Sequence, residues 1–519
     1  MQMKKLKGLL RIVFGRTAFV VVFMLIQILI LFGTFTWLAD RYLVYAYWSF
    51  TLLGALVVLY IINKRENSSF KLAWIVPVLV IPVFGALFYL YVELEIGVKL
   101  IAKRAAHMVD ETKPYLTQDE RVVKKLKKES LRVNNLAGYV RDYGGFPIYD
   151  NTSVKYFSCG EEKFEQLKKE LEQAKRYIFM EYFIVERGEM WDAILEILER
   201  KVKEGVEVRV MYDGMCCLVL LPYHYPRELE KKGIRAKMFA PIRPALSSYQ
   251  NNRDHRKIVV IDGHTAFTGG INLADEYINR KERFGYWKDT AIMLKGDAVK
   301  SFTLMFLQMW GITERTPEQY EKYFRDPEYF YPPELDMDGF VMPYGDSPLD
   351  HETVGEQVYL DILYQARKYV HIMTPYLILD DDMITALTYA AKRGVETVII
   401  MPHIPDKKYA YLLARTYYGE LIDAGVKIYE FTPGFVHAKL FVSDNEKAVV
   451  GTINLDYRSL YLHFECAAYM YKNAVVKDVE ADFQRTLKQC QLITREDCRR
   501  YPVVKKLAGR ALRLIAPLM

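Results

Sequence analysis

The chain has 519 residues, of which 51% are apolar by the broad count, and a formal net charge of +7. That length allows two lobes plus extra segments. The first 95 residues are overwhelmingly apolar, which excludes an ordinary soluble domain at the amino end.

Three uncharged runs lie there, at 17–38, 42–63 and 72–92. At about 1.5 Å per residue, a run of that length covers roughly 30 Å of hydrocarbon. The first is too long for a removable signal peptide and lacks a small-residue cleavage site. Pro77 and Pro82 in the third are tolerable in a membrane helix. Lys4, Lys5, Lys7, Arg11 and Arg16 precede the first run, and Lys64, Arg65 and Lys71 lie between the second and third. The positive-inside rule therefore puts the amino terminus and the second loop in the cytoplasm. Three full spans would leave the rest of the chain outside, whereas one re-entrant segment would leave it inside. The sequence keeps both open.

The segment 99–140 is charged and reads as a helical link, with a basic run at Lys124, Lys125, Lys127 and Lys128. Such a run is ordinarily a solvated face, and beside a membrane it also attracts anionic headgroups. A duplication then begins. Gln173 to Tyr177 matches Gln365 to Tyr369, an offset of 192. Each copy continues with an apolar strand, then a helix ending at Gly205 or Gly394, residues suited to the left-handed position after a helix. A β-branched strand follows each glycine, and a further helix and strand end at Pro241 and Pro433. This succession predicts two α/β lobes with largely parallel sheets. From His255 onward the offset is 182, so the first lobe carries ten extra residues within 242–254.

Each copy contains His-x-Lys-x4-Asp: His255, Lys257 and Asp262 in the first, His437, Lys439 and Asp444 in the second. With ordinary residue usage, one such match is expected on the order of 0.03 times in a chain this long. Asn272 and Asn454 both lie 17 positions past their His. The motif cores, 258–261 and 440–442, read as buried strands. Residues two apart share a strand face, so each His and its Lys point the same way. Two His, two Lys and two Asn around one point make a site for a phosphate. Cations and amide donors hold its oxygens, one imidazole attacks phosphorus, and the other protonates the leaving oxygen. A lone His-x-Lys is ordinarily structural, but a matched pair reverses those odds. Asp262 and Asp444 are an odd number of positions from the His and Lys, and are expected at the strand end, holding the loop.

Cys159, Cys216, Cys217, Cys466, Cys490 and Cys498 show no metal-finger spacing, and no acidic cluster suggests a two-metal site. Nothing in the sequence supports a Cys490–Cys498 disulfide. At the carboxyl end Leu507, Ala511, Leu514, Ile515 and Leu518 form one helical stripe, opposed by Lys505, Lys506, Arg510 and Arg513. A helix packed on the second lobe and a helix lying on a membrane surface account for it equally well.

The duplicated motif, with Asn252 to Lys257 running to Gly269-Gly270-Ile271-Asn272 and Phe435 to Lys439 running to Gly451 through Ser459, resembles the phospholipase D superfamily. Within it the chain is most similar to the bacterial cardiolipin synthases, over nearly its whole length. Thr452 stands where that family usually has Ser, and His463 where Asn is usual. The resemblance implies an α/β fold of two homologous phospholipase D-like lobes, sheets flanked by helices, after an N-terminal transmembrane region. The expected division is an anchor at 1–95, a charged helical linker at 96–140, lobes at 141–330 and 331–500, and an amphipathic helix at 501–519. It implies His255, Lys257, Asp262, His437, Lys439 and Asp444 as the catalytic set, Asn272 and Asn454 as phosphate-binding, and an acid behind each histidine. Glu465 is the candidate for orienting His437, and Asp289 for His255. The implied reaction is phosphatidyl transfer between two phosphatidylglycerol molecules, giving cardiolipin and glycerol through a phosphohistidine. It needs no metal or cofactor, no nucleic acid and no obligate protein partner, and it takes place in a multi-pass protein of the bacterial cell membrane among phosphatidylglycerol and other membrane lipids. The alternatives are a phospholipase D hydrolase, a transferase with another donor such as phosphatidylethanolamine, and a membrane-tethered nuclease. The near-symmetry of the repeat leaves the nucleophile open, with His255 preferred.

Overall fold

The computed structural model describes residues 43–80, 82–93, 96–215, 217–240, 252–314, 318–324 and 335–518, with positions 25, 29, 32 and 33. The expected span 17–38 and most of the ten-residue insertion within 242–254 lie outside these residues. The chain divides into two units, one formed by 1–100, 240–252 and 511–519, the other by 101–239 and 253–510.

The first unit contains α1 (Leu43–Asn63), α2 (Ser68–Val80) and α3 (Pro82–Glu93). The run 72–92, expected as one span, is instead two short helices. Pro82, the first residue of α3, has no N–H to bond to the end of α2. The chain then folds back. Trp74 lies 5.9 Å from the Phe88 ring and 5.3 Å from Tyr89, whereas in one straight helix Trp74 and Phe88 would be about 21 Å apart. The helices meet where a side chain is missing: a Cβ at Gly85 would stand 2.5 Å from the Pro77 carbonyl oxygen. At the open end Lys64 Nζ contacts Glu66 at 2.6 Å and Glu93 at 2.5 Å, so the chain leaves this hairpin at the level where it entered. Leu52, Leu56, Leu59, Leu72, Leu79 and Val80 are exposed. Among the described residues no helix is long and apolar enough to cross a membrane.

Next in the chain come α4 (Ile96–Thr112), α5 (Glu120–Glu129) and α6 (Leu131–Gly144). Asp119 and Ser130 cap α5 and α6 by accepting backbone N–H bonds. The first sheet follows: β1 (Thr152–Phe157), α7 (Gly160–Glu172), β2 (Tyr177–Tyr182), α8 (Glu189–Lys203), β3 (Glu207–Asp213), α9 (Tyr225–Glu230), β4 (Arg235–Phe239), β5 (Ile258–Ile261), β6 (Thr265–Gly269), β7 (Tyr286–Lys288), β8 (Ala291–Gly296) and α10 (Val299–Gly311). The second half repeats it with β9 (Phe340–Asp346), α11 (Val354–Gln365), β10 (Tyr369–Met373), α12 (Asp381–Lys392), β11 (Glu396–Pro402), α13 (Lys408–Asp423), β12 (Lys427–Phe431), β13 (Gly434–Val436), β14 (Leu440–Ser443), β15 (Lys447–Gly451), β16 (Glu465–Tyr471) and α14 (Val475–Leu487). Then come β17 (Cys490–Ile493), α15 (Arg495–Arg500) and α16 (Val503–Ile515).

The sheet orders are β1-β8-β6-β5-β2-β3-β4 and β17-β12-β11-β10-β14-β15-β16-β9. Strand for strand the second is the first with β17 added at one edge. Strands β2, β14 and β16 are buried at every residue, so helices cover both faces of the sheet centres. The sheets are mixed, which corrects the expectation of largely parallel ones. Among the described strands of these two sheets, β2, β3 and β4, and likewise β10, β11 and β12, are the ones that pair in parallel, because a helix connects each successive pair. The other pairs are antiparallel, and one in each sheet is a tight hairpin beside its motif. Strand β5 returns as β6 with Ile261 opposite Thr265, and β14 returns as β15 with Ser443 opposite Lys447. Asp262 and Asp444 open those turns in the left-handed region, at φ 53° and 56°, which a short polar side chain tolerates. Gly205 and Gly394 end their helices at φ 92° and 91°, as their position in the repeat predicts.

Candidate active site

The two halves are stitched by exchanged backbone segments. Strand β7 of the first half pairs in parallel with β13 of the second, and His437 N donates to Lys288 O at 2.7 Å. Gly434 permits this, since a Cβ there would stand 2.3 Å from the Tyr286 carbonyl oxygen. Reciprocally, His255 N donates to Phe464 O at 3.0 Å, and Phe464 N to Arg253 O at 2.9 Å. Each motif histidine therefore rides on a backbone segment bonded to the other half.

This exchange decides which acid meets which imidazole, and it corrects the expected pairing. His255 Nδ1 faces both Glu465 oxygens, at 2.8 and 2.9 Å. His437 Nδ1 faces Asp289 Oδ2 at 2.7 Å. Glu465 follows Phe464, and Asp289 follows Lys288, so each acid is delivered to the partner histidine by the strand exchange.

The two acids are held differently. Thr452 Oγ1 donates to Glu465 Oε2 and accepts from Cys466 N at 3.0 Å. Gly270 occupies the place in the first repeat that Thr452 occupies in the second. Asp289 fills the space there: a Cβ at Gly270 would lie 2.0 Å from Asp289 Oδ1, an oxygen that accepts from Thr290 N at 2.8 Å.

The lysines precede the strands they were expected to share with the histidines, but they stay beside them. Lys257 Nζ donates to His255 O, and Lys439 Nζ lies 2.9 Å from His437 Nδ1 and donates to His437 O. All four motif side chains are buried. Burial, followed by the neighbouring lysine charges, pushes both imidazoles well below their ordinary range. Burial also lowers Lys257 to about 8 and Lys439 to about 7, and raises Asp289 to about 6. Both lysines thus give up their protons more readily than exposed ones. An entering phosphodiester brings the negative charge that favours protonating them.

Asp262 and Asp444 lie where the strand argument puts them rather than among the reacting groups. Asp262 accepts from Lys175, Arg176 and Tyr177 N–H at 2.8 Å each. Asp444 accepts from Arg367 and Lys368 N–H at 2.8 Å and Tyr369 N–H at 3.0 Å. Each pins the start of the strand beside its motif. The asparagines diverge. Asn272 is committed to protein, accepting from Ile184 N at 3.0 Å and donating to Tyr277 OH at 2.7 Å. Asn454 is buried, and its side-chain oxygen has no hydrogen-bond partner among the described residues.

Several neighbours were not legible from the motif. Phe183 packs edge-on to His255 with ring centroids 4.6 Å apart, while Tyr277 and Trp287 lie 5.5 and 5.4 Å from His437. Lys407 adds positive charge felt by both imidazoles. His463, noted only as a departure from a family pattern, is 5.5 Å from His255; its Nδ1 lies 3.7 Å from Glu465 Oε1, and neither ring nitrogen is within hydrogen-bond distance of a partner among the described residues. Burial drives it down to about 3, so it is neutral. His255, His463 and Glu465 bring ligand-type atoms within 4.8 Å of one another, a grouping the sequence spacing did not reveal. Cys490 and Cys498 are free thiols.

The family model described as "Cardiolipin synthase, PLD-like domain" matches residues 167–310 and 359–487, and "Phospholipase_D-nuclease N-terminal" matches 52–92. A protein of Streptococcus mutans, named only as uncharacterized, is 54% identical, covering 89% of this chain and 99% of its own. A cardiolipin synthase of Halalkalibacterium halodurans is 33% identical, covering 92% and 96%. Cardiolipin synthase 2 of Bacillus cereus is 34% identical, covering 91% of each. Among solved structures, phosphatidylserine synthase of Haemophilus influenzae superposes with a TM-score of 0.54 at 14% identity, covering 73% of this chain and 98% of that one, a likeness of fold.

Proposed function

The chain belongs to the phospholipase D-like cardiolipin synthase family, and from that premise we propose that it transfers a phosphatidyl group from one phosphatidylglycerol to the hydroxyl of another, releasing glycerol. The observation that carries this reading is the pair of buried imidazoles, each backed by a carboxylate of the opposite half and flanked by a lysine.

The two histidines suit different steps. His255 Nδ1 meets only carboxylate oxygens, so its proton sits there and Nε2 keeps a lone pair. That is the nucleophile, and it attacks phosphorus to form a phosphohistidine. His437 Nδ1 has both Asp289 and Lys439 in reach. It donates to the first when protonated and accepts from the second when not, so Nε2 can carry or release a proton. That ring protonates departing glycerol and then takes the proton of the incoming hydroxyl. Lys257 and Lys439 balance charge on the phosphoryl oxygens, and Asn454 supplies an uncommitted amide. Because the two titrations share one phosphate, they are coupled.

The anchor reading rests on the uncharged runs 17–38 and 42–63 and on the exposed apolar side chains of α1 and α2. The fold-back of α2 on α3, with Glu93 returning to Lys64, supports a re-entrant hairpin. With Lys64, Arg65 and Lys71 on the cytoplasmic side, the chain beyond residue 93 is cytoplasmic as well. The division at 95, 140, 330 and 500 stands as part of this proposal.

Incubating the purified protein with phosphatidylglycerol alone tests the reaction. Cardiolipin and glycerol in equal amounts are expected. Phosphatidic acid as the main product would instead indicate transfer to water, and dependence on added phosphatidylethanolamine another donor.

A further inference from the structure

Outside the catalytic set, the second unit contains a cavity of about 220 Å³ between α13, α15 and the first half of α16. Five cations line it, Arg415, Arg495, Arg499, Lys506 and Arg510, and no carboxylate does. Two of the five are balanced from behind the wall, Arg415 by Glu430 at 3.0 Å and Arg495 by Asp423 at 2.9 Å. The Lys506 ammonium donates to the Arg499 carbonyl at 2.8 Å, and among the described residues Lys506, Arg499 and Arg510 have no carboxylate partner.

Local packing fixes this convergence. Gly509 lets α16 approach α13 until a Cβ there would lie 2.7 Å from the Leu412 carbonyl oxygen. Gly419 lets the Arg495 guanidinium cross α13, since a Cβ would meet Nη1 at 2.1 Å. Tyr501 forms a floor, with the Arg415 guanidinium 4.7 Å from its ring centroid. Like charges held this close repel unless an anion lies between them. The same helix turns Val503, Val504 and Leu507 outward, at 67%, 79% and 60% exposure. A cationic cavity beside an exposed apolar stripe matches the two parts of an anionic lipid, phosphate and acyl chain.

We propose that this cavity binds the phosphate group of an anionic phospholipid, at a site separate from the reacting histidines. It goes beyond the proposed reaction, shares no residue with its machinery, and resolves the even choice left by the sequence. The α16 helix packs through Gly509 and leaves Val503, Val504 and Leu507 exposed to lipid.

Cys498 lines the cavity and is a free thiol, which supplies the test. The full chain in non-ionic detergent is alkylated with a maleimide, and modification of each cysteine is followed by peptide mass spectrometry. Short-chain phosphatidylglycerol, short-chain phosphatidylcholine or inorganic phosphate is added, with Cys490 as the internal control. Phosphatidylglycerol at about four times its Kd is expected to slow Cys498 alkylation about fivefold, in proportion to occupancy, and to leave Cys490 unchanged. Arg499→Gln with Arg510→Gln should abolish the protection without altering cardiolipin formation in detergent, and the corresponding Lys pair should retain much of it. Equal protection by phosphatidylcholine, equal slowing at Cys490, or no protection by any probe would overturn the proposal. Protection by inorganic phosphate but not by the lipid would overturn the lipid assignment, and retained protection in the Gln pair would overturn the site. A protein that makes no cardiolipin at all yet shows the protection would leave this site standing and sink only the reaction.

Discussion

The two halves of the site descend from one repeat, yet they hold their histidines in different environments. Around His255, a glutamate grips Nδ1 with both oxygens, Thr452 braces that glutamate, and Phe183 and His463 close the sides. Around His437, a shorter aspartate fits only because Gly270 has no side chain, and Lys439 competes for the same ring nitrogen. One imidazole is locked and the other is adjustable. A two-step transfer needs that division, since one ring must stay unprotonated at Nε2 while the other exchanges a proton.

The largest effects should come from the rings themselves. His255→Ala and His437→Ala are each expected to lower cardiolipin formation by at least about a hundredfold. A folded variant of either kind that kept most of its activity would break the shared-site model.

The comparison is sharpened by trapping. With a labelled donor carrying a good leaving group, His437→Ala should accumulate acid-labile, base-stable label on His255, because the second step lacks its base. Label on His437 in the His255→Ala protein would reverse the assignment.

The acids come next. Glu465→Gln and Asp289→Asn are each expected to cost at least about tenfold, because the tautomer and orientation of the imidazole are no longer held. A double-mutant cycle on turnover should couple Glu465 to His255 and Asp289 to His437, each across the halves. Coupling within a half would restore the pairing expected from sequence order.

A smaller, pH-dependent effect tests the weakly charged lysines. Lys439 at about 7 and Lys257 at about 8 lie below the ordinary lysine value near 10.4. Between those values the unfolded chain binds more protons than the folded one, so burying these lysines costs stability at low pH and the cost is relieved as pH rises. A phosphodiester analogue favours the charged forms. Its increment to Tm should therefore be larger at about pH 6 than at about pH 9. An increment independent of pH would mean the lysines do not meet the phosphate.

The mildest variant is His463→Asn, expected to change turnover only a few-fold, because a neutral ring there carries no charge to lose. A loss as large as that of His255→Ala would make His463 a reacting group.

Much of this was legible in the chain. The duplicated spacing picked out the two histidines and two lysines that the fold sets side by side, and the period-two argument placed Asp262 and Asp444 at strand ends; of the asparagines expected at the phosphate, Asn272 is instead committed to Ile184 and Tyr277. Two things were hidden, for physical reasons. The carboxylate pairing depends on Gly434 and Phe464 exchanging backbone bonds between halves, and neither residue announces a partner 148 or 210 positions away. The hairpin of α2 and α3 was hidden because hydropathy measures transfer from water and is blind to direction. Pro82 and Gly85 were the signals, a break followed by a gap wide enough for a returning helix.

The exchanged carboxylates also bear on how the protein is made. The ribosome releases His255 well before Glu465, 210 residues later. At about 5–20 residues per second, that interval is roughly 10–40 s. Through it the first half carries an imidazole with no acid to fix its tautomer, and Asp289 waits without His437. On the proposed mechanism neither half attacks phosphodiesters on its own, and a chain terminated before Glu465 is expected to be inert.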